Sequence, residues 1–534
     1  MRKNKFNFLL LLTSVALFWV AIFLGKSFFE TYLVHNGNAS QLSLIKFHLL
    51  RIFSAILGLS VCLYAILSLK GSPQINSFNK AFRSWFVDRP LAKRYWSLFI
   101  VLLLLKSVSL IIANYAYWKD HDGWEYLWVA QGISTGHGFS VNERRRWGFV
   151  DFKDYTKYSE DKYFPTAIEE PVYPYLLALS YKLFGDYGKL TIFLHILAFV
   201  FSCIMLNCLG KKAFDIETGL LASCSFIFWR GVTPVVRYLT PAILGGFFVL
   251  TIALLILLCL RKPSIRHGIT LGFVLGISSL TLGATLLFIP LSAFLVLLSM
   301  RPINKTVWVT SAAIVITSCI TISPWIIRNY KVFGEFIPTR IGLGFIAHQA
   351  NPILAGTFYP GKHACTDKLG PMWKAKSASE AVKIAHTNRK KQGDIYERSY
   401  ACIEEQAPEG YENFNEVQRD KVYLEKAKEF IISHPVIFVE LVIYKFREFF
   451  FGTIWQHTIA AVLAAIGIVL VLFQKRKIES IAFILMVLLF SAPYGVTMPW
   501  NYRYRYPIEP LILLFASYAV VVSIKKIKPL VNLK

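Results

Sequence analysis

The feature that most constrains this chain is a series of apolar stretches, many of them about 20 residues long, separated by short basic segments. An apolar helix of this length can cross a bilayer, because its backbone polar groups are satisfied internally. Phe6–Gly25 is the first such stretch and follows a basic start without a small-residue cleavage site, so we interpret it as a signal anchor. Of the 534 residues 55% are hydrophobic and 17% charged, which predicts an all-α polytopic membrane protein.

The formal charge of +26 reflects basic segments between the spans and does not indicate a nucleic-acid partner. Clusters of Lys and Arg flanking apolar helices mark the cytoplasmic side, and they predict that both termini are cytoplasmic. The predicted spans are Phe6–Gly25, Leu44–Leu69, Trp96–Trp118, Leu190–Leu209, Thr218–Pro234, Thr240–Leu260, Gly268–Leu282, Ala284–Leu298, Val307–Ile326, His457–Phe473, Ser480–Val496 and Pro507–Ile524.

These spans, about twelve in number, divide the chain into four parts. Residues 1–95 hold two extra spans and a basic cytoplasmic loop. The predicted core is 96–326, with a first external loop at 119–170 and a juxtamembrane helix at 171–185. A large external loop at 327–435 is followed by an interfacial helix and the last three spans at 436–534.

Two alternatives affect this topology. The number of spans agrees with the predicted sides of the membrane only if Val436–Phe451 lies along the membrane surface and does not cross it. This segment carries charged residues among its aromatics, as an interfacial helix does. Residues between Gly268 and Leu298 could instead form one long tilted span, which would change the parity.

Two carboxylates open the first external loop immediately after the third predicted span. Asp120 and Asp122 flank His121 there. A carboxylate at the membrane surface can take a proton from an acceptor hydroxyl while a lipid-linked donor approaches from the bilayer. The alternative is that these acids only solvate the loop.

Asp122, Tyr126, Ala130 and Gly136 follow one another with a spacing found in a known family. The sequence resembles the GT-C glycosyltransferases that use polyprenyl- or dolichyl-phosphate sugars, in particular the protein O-mannosyltransferases and lipid A aminoarabinose transferases. The resemblance implies that Asp122 is the catalytic base. Relatives often have Glu directly after this Asp, and Gly123 stands there instead, which leaves Asp120 or Glu125 as a second carboxylate.

Later segments extend the resemblance from about residue 96 onward. They are Glu170-Pro-Val-Tyr-Pro174, Ser323-Pro-Trp-Ile-Ile-Arg-Asn-Tyr330, Asn351-Pro352, His434-Pro435 and Arg503-Tyr504. Relatives often carry His or Lys, which can meet a phosphate, at the position of Glu170.

The resemblance implies an inverting transfer of a sugar from an undecaprenyl-phosphate-like donor to a hydroxyl of a glycan, lipid or protein. The active site would face the external or periplasmic side of a bacterial inner membrane. Alternatives are a lipid-linked oligosaccharide transferase or ligase, and a flippase or transporter for lipid-linked sugars.

Basic residues beside the predicted span ends are candidates for binding the donor phosphate, since a guanidinium can bind an oxyanion through two hydrogen bonds. These candidates are Arg328, Arg503, Arg505 and Arg237. Anchoring to anionic headgroups predicts the same residues. Candidates for lining the substrate groove are Tyr126, Glu170, Tyr173 and Lys106. Structural roles in the aromatic belt or in helix pairing are the alternative for Tyr173 and Lys106.

The cysteines and histidines give weaker signals. Cys365 and Cys402 share the large external loop and are candidates for a disulfide, with two free thiols as the alternative. The histidines have no compact metal-binding spacing, so no obligatory metal or other cofactor is expected, although a divalent metal is not excluded.

Overall fold

The computed structural model of this chain describes residues 91–115, 123–143, 161–299, 304–353, 408–452, 455–473, 477–497 and 502–531. Asp120, Asp122, Cys365, Cys402 and the two predicted N-terminal spans lie outside these residues. Residues 102–534 form one compact unit, and every contact described below lies within it.

The described residues are mainly helical. In chain order the helices are α1 (Leu91–Tyr115), α2 (Trp124–Ser134), α3 (Val172–Phe184), α4 (Lys189–Ala213), α5 (Ile216–Ile227), α6 (Val232–Arg237), α7 (Ala242–Arg261), α8 (Ile265–Ser279), α9 (Phe288–Leu298), α10 (Lys305–Phe333), α11 (Leu343–His348), α12 (Glu416–Ser433), α13 (Pro435–Phe451), α14 (Trp455–Leu472), α15 (Lys477–Val496), α16 (Tyr502–Arg505) and α17 (Glu509–Val531). Single-turn helices at Gly283–Leu287 and Tyr506–Ile508 lead into α9 and α17.

One short antiparallel hairpin interrupts the helices between α2 and α3. Its strands are β1 (Ser140–Asn142) and β2 (Tyr163–Pro165), with Val141 paired to Phe164. All three residues of β1 are buried. The hairpin is therefore a packed element beside the helices.

Six helical segments within the described part of the chain are long and apolar enough to cross a membrane. They are α4, α7, α10, α14, Ile478–Val496 in α15, and Arg503–Lys525. Shorter apolar helices occur at Phe99–Ile111, Ile216–Ile227 and Gly283–Leu298. The predicted all-α, polytopic membrane class is confirmed.

The predicted span Thr218–Pro234 is not one continuous helix. It is divided into α5 and α6, with a break at residues 228–231. Pro234 has no backbone N–H to donate to the carbonyl of Arg230, and its ring crowds that carbonyl, which favours a break in the helix just before it.

The segment between Gly268 and Leu298 reverses direction instead of forming one long span. Gly268 packs against Thr310 of α10 and Gly276 against Thr321, so α8 runs parallel to α10. Farther along, the carbonyl of Ala293 in α9 accepts a hydrogen bond from Ser311 at 2.9 Å, which returns the chain to the level where α8 began. The turn lies around residues 280–283, and the single-span alternative is wrong.

A buried ion pair connects the ends of three helices near the C-terminal part of the chain. Arg505, whose side chain is 2% exposed, places Nε 2.6 Å from Glu509 Oε2. Its guanidinium also donates to the carbonyls of Phe449 and Phe450 at the end of α13, and to that of His457 in α14. The contacts with Phe449 and Phe450 satisfy carbonyls that the C-terminus of α13 leaves without intrahelical partners.

The structure thus gives Arg505 a different role from the predicted binding of a donor phosphate. Its donors are occupied by a carboxylate and by backbone carbonyls, and the side chain is enclosed.

We expect Glu509→Gln to lower the free energy of unfolding by about 3–5 kcal/mol, because it leaves the Arg505 charge buried without its counterion. The measurement is the thermal unfolding of the detergent-purified protein. The control is Glu335→Gln, which removes an exposed pair with Lys421 and should change stability by under about 1 kcal/mol. Equal losses for both variants would contradict this role for Glu509.

Candidate active site

Gly123, the residue directly after Asp122, adopts a backbone conformation that excludes other residues. Its φ is +128°, and a Cβ there would collide with the carbonyl of Leu239 just before α7. A glutamate, which relatives often have at this position, could not occupy this backbone without rearrangement. The departure from the family's pattern is therefore a packing requirement in this chain.

Tyr126, in the first turn of α2, lies among charged residues that come from distant parts of the sequence. Its ring packs edge-on against Tyr173 at 5.2 Å between centroids. Burial raises its pKa well above the usual value; Glu169 and Glu170 add to this rise, and Arg340 and Arg503 oppose it. Tyr126 therefore identifies the polar cluster that we define as the candidate active site: Tyr126, Glu169, Glu170, Arg340 and Arg503.

The centre of this cluster is an ion pair between Glu169 and Arg340. Arg340 Nη1 lies 2.6 Å from Glu169 Oε2, and the Glu169 side chain is 1% exposed. Burial raises the pKa of Glu169 well above its usual range, while Arg340 and a hydrogen bond from Tyr126 act in the opposite direction. Neither Glu169 nor Arg340 was predicted, because no motif links the segment before α3 to the loop after α10.

Glu170, a predicted groove residue, has its carboxylate between this ion pair and the turn that joins α8 to α9. Its Oε1 accepts a hydrogen bond from the backbone N–H of Gly283 at 2.8 Å. Its Oε2 lies 3.8 Å from Arg340 Nη1 and has no hydrogen-bond partner among the described residues. One oxygen of the Glu170 carboxylate is thus hydrogen-bonded, and the other is buried without a hydrogen bond from the described residues.

Helix α12 holds both segments that carry the ion pair. Glu416 accepts hydrogen bonds from the backbone N–H of Ala167 at 2.5 Å and from the Thr166 hydroxyl at 2.9 Å. One turn later, Asp420 accepts from the N–H groups of Gly344 and Phe345 at the start of α11. Beneath these contacts lies a small apolar cluster of Ala167, Phe333, Ile337, Ile341 and Val417. Two carboxylates on one helix face therefore fix the backbone on either side of Glu169 and Arg340.

Tyr173 was predicted to line the substrate groove, but the structure encloses it completely. Its hydroxyl donates to Nε2 of His195 in α4 at 3.2 Å, and His195 Nδ1 donates to the carbonyl of Val236 in α6 at 3.1 Å. We infer these donor roles because a carbonyl oxygen can only accept. Tyr173 joins α3, α4 and α6 and presents no surface to a groove.

Arg328 was predicted to bind the donor phosphate, but in this structure it fastens the β-hairpin to α10. Its Nη1 donates to the carbonyl of Thr166 at 2.7 Å and its Nη2 to that of Phe139 at 2.8 Å. The guanidinium also lies over the rings of Phe139 and Trp325. The donors on both terminal nitrogens are therefore engaged by protein groups.

The remaining predicted basic residues fall in two places. Arg503, the partly exposed arginine of the candidate active site, donates to the Tyr504 hydroxyl at 3.0 Å. Arg237 ends α6, and Lys106 of α1 donates to Thr233 of the same short helix at 3.1 Å. Lys106 therefore pairs with a neutral hydroxyl of α6.

Among the described residues, no group of three or more His, Cys, Asp and Glu side chains is arranged to hold a metal ion. The five cysteines described, all in predicted apolar stretches, are free thiols.

Residues 167–327 match the model of the dolichyl-phosphate-mannose-protein mannosyltransferase family. The matched region begins two residues before Glu169 and ends one residue before Arg328. None of the curated proteins compared is significantly similar in sequence.

The solved structures to which this chain is similar include two different enzymes. The Archaeoglobus fulgidus oligosaccharyltransferase, tethered to an acceptor peptide, has a TM-score of 0.49 and 13% identity, covering 84% of this chain and 51% of that one. This chain thus spans about half the length of that enzyme. ArnT from Cupriavidus metallidurans, bound to undecaprenyl phosphate, has a TM-score of 0.34 and 11% identity, covering 82% and 80%.

Residues 167–327 are therefore similar to the dolichyl-phosphate-mannose-protein mannosyltransferase family, and the predicted resemblance to the GT-C glycosyltransferases is confirmed over these residues.

Proposed function

We propose that this glycosyltransferase moves a sugar from a polyprenyl-phosphate carrier to an acceptor hydroxyl, with inversion at the anomeric carbon. The observation that carries the proposal is the candidate active site itself. Two buried carboxylates and two guanidinium groups surround Tyr126, four residues after Asp122. The family match starts beside the same carboxylates. The reaction would take place on the external face of a bacterial inner membrane.

Asp122 is the proposed base. It would accept the proton of the acceptor hydroxyl as that oxygen attacks the anomeric carbon. The bond from this carbon to the phosphate oxygen breaks in the same step, and the lipid phosphate leaves with its negative charge. The conformation of Gly123 supports this role, because it fixes the backbone directly after Asp122 against Leu239.

The leaving phosphate needs a positive partner, and Arg503 is the predicted residue best suited to it. Arg503 is partly exposed and lies beside the carboxylate cluster, whereas the donors of Arg505 and Arg328 are bound to protein carbonyls or carboxylates. A charged hydrogen bond to an oxyanion is stronger than a neutral one. Arg237 is proposed to contact the donor phosphate farther from the reacting atoms. Lys106, which binds the same short helix, is proposed to line the substrate groove.

The acceptor is proposed to be a glycan, a lipid or a protein hydroxyl. The donor sugar is a hexose or pentose. No obligatory metal takes part in this proposal.

Asp122→Asn should reduce the release of undecaprenyl phosphate from undecaprenyl-phosphate sugars by about 10²–10⁴-fold, because the amide cannot accept the proton. The assay uses a panel of undecaprenyl-phosphate monosaccharides with a host membrane extract as the acceptor source. Glu335→Gln, which removes an exposed ion pair with Lys421, is the control and should keep the activity. Release at the wild-type rate by a well-folded Asp122→Asn protein would overturn the assignment.

Arg503→Gln should weaken binding of undecaprenyl phosphate by about tenfold or more, since a hydrogen bond to a charged group contributes about 1.5–3 kcal/mol. Its melting temperature should stay close to that of the wild type. Arg505→Gln serves as the contrast, because removing the buried cation should lower the melting temperature. If Arg503→Gln destabilises the protein yet binds the lipid phosphate normally, Arg503 has a structural role.

A further inference from the structure

The carboxylate of Glu170 is incompletely satisfied although it is almost entirely buried. Its side chain is 4% exposed, its Oε1 is held by Gly283, and its Oε2 accepts no hydrogen bond from any described residue. A buried acceptor left without a partner costs about 1–3 kcal/mol, and more when it is charged. Such an atom is expected where a ligand completes the site.

Arg340 faces the same position with an unused donor group. Its Nη1 is bound to Glu169 and its Nε donates to the carbonyl of Ile341 at 3.3 Å. Its Nη2 makes no hydrogen bond within the part of the chain that is described. Arg340 Nη1 lies 3.8 Å from Glu170 Oε2, which is too long for a hydrogen bond. The Arg340 side chain is 28% exposed. The unsatisfied acceptor of Glu170 therefore lies beside a partly exposed guanidinium that still has a donor to offer.

The charges of this pair restrict what can bind between them. A phosphate would be repelled by Glu169 and Glu170, and an ammonium group would be repelled by Arg340. A hydroxyl group carries no charge, donates one hydrogen bond and accepts others. Two neighbouring hydroxyls of a sugar ring can thus donate to Glu170 and accept from Arg340 at the same time.

We propose that Glu170 and Arg340 form a subsite that binds sugar hydroxyl groups. The inference rests on the proposed function, because it assigns to the same site the group by which a sugar is held. The hydroxyls belong either to the donor sugar or to a sugar of the acceptor, and both sources offer the same chemistry. The basic residue that relatives often carry at the position of Glu170 could not provide this acceptor.

The test compares Glu170→Gln with the wild type in full-length protein reconstituted in lipid nanodiscs. Glutamine keeps a carbonyl oxygen for Gly283 and replaces the free acceptor with a donor. The probes are the undecaprenyl-phosphate monosaccharide that the wild type uses fastest and its monodeoxy analogues. Glu335→Gln, at an exposed ion pair, is the matched control.

If the bound hydroxyl belongs to the donor sugar, Glu170→Gln should raise the KM of the intact sugar donor by about tenfold. This factor corresponds to the loss of one hydrogen bond to a charged group. The same variant should use one monodeoxy analogue as well as the intact donor. The substitution and the removal of that sugar hydroxyl abolish the same interaction, so their effects do not add. If the bound hydroxyl belongs to a sugar of the acceptor substrate, the KM of the acceptor substrate rises and the KM of the sugar donor does not. Arg340→Lys, which keeps a cation beside Glu169, should raise the same KM. It provides a second test of the subsite in case Glu170→Gln does not fold.

Unchanged KM values for both substrates, or an unchanged penalty for every monodeoxy analogue, would overturn the subsite. This failure is distinct from a failure of the proposed function. If release depends on Asp122 and not on Glu170, only the subsite is wrong. If the wild type releases lipid phosphate from none of the sugars, the proposed function and the subsite are both wrong.

Discussion

The ion pair between Glu169 and Arg340 is the interaction on which the candidate active site depends. These residues lie 171 positions apart, yet their side chains approach to 2.6 Å. Separating two buried charges leaves each without compensation, so the pair holds the segment before α3 against the loop after α10. Glu170 and Ile341 follow these two residues directly in sequence, so their positions depend on this contact.

Helix α12 is the element that makes this arrangement rigid. Glu416 binds the backbone before Glu169, and Asp420 binds the backbone after Arg340. Arg328 adds a third connection by holding the β-hairpin to α10. Buried carboxylates and guanidinium groups thus support the site as well as line it. This explains why residues of one chemical type have different roles within a short distance.

The arginines illustrate the limit of sequence reasoning most clearly. Arg328, Arg503 and Arg505 all stand beside predicted span ends, and sequence alone gave them the same interpretation. In the structure Arg505 pairs with Glu509 and binds carbonyls of two helices, Arg328 binds hairpin carbonyls, and of these three only Arg503 acts on the pKa of Tyr126. A guanidinium binds carbonyls and phosphates through the same donors, so only its neighbours distinguish the two roles. Arg340, which no motif singled out, carries the central charge of the site.

The sequence by itself determined that the chain is a helical membrane protein, where most of the described spans lie, and which family it resembles. These properties follow from local composition, since apolar length and flanking charge decide whether a helix can cross a bilayer. The tertiary structure decided that residues 268–298 reverse direction, that Tyr173 is enclosed, and that Glu169, Glu170 and Arg340 meet around Tyr126. Such pairings join segments more than a hundred residues apart, and their energies arise from burial and mutual charge, which exist only once the helices have packed.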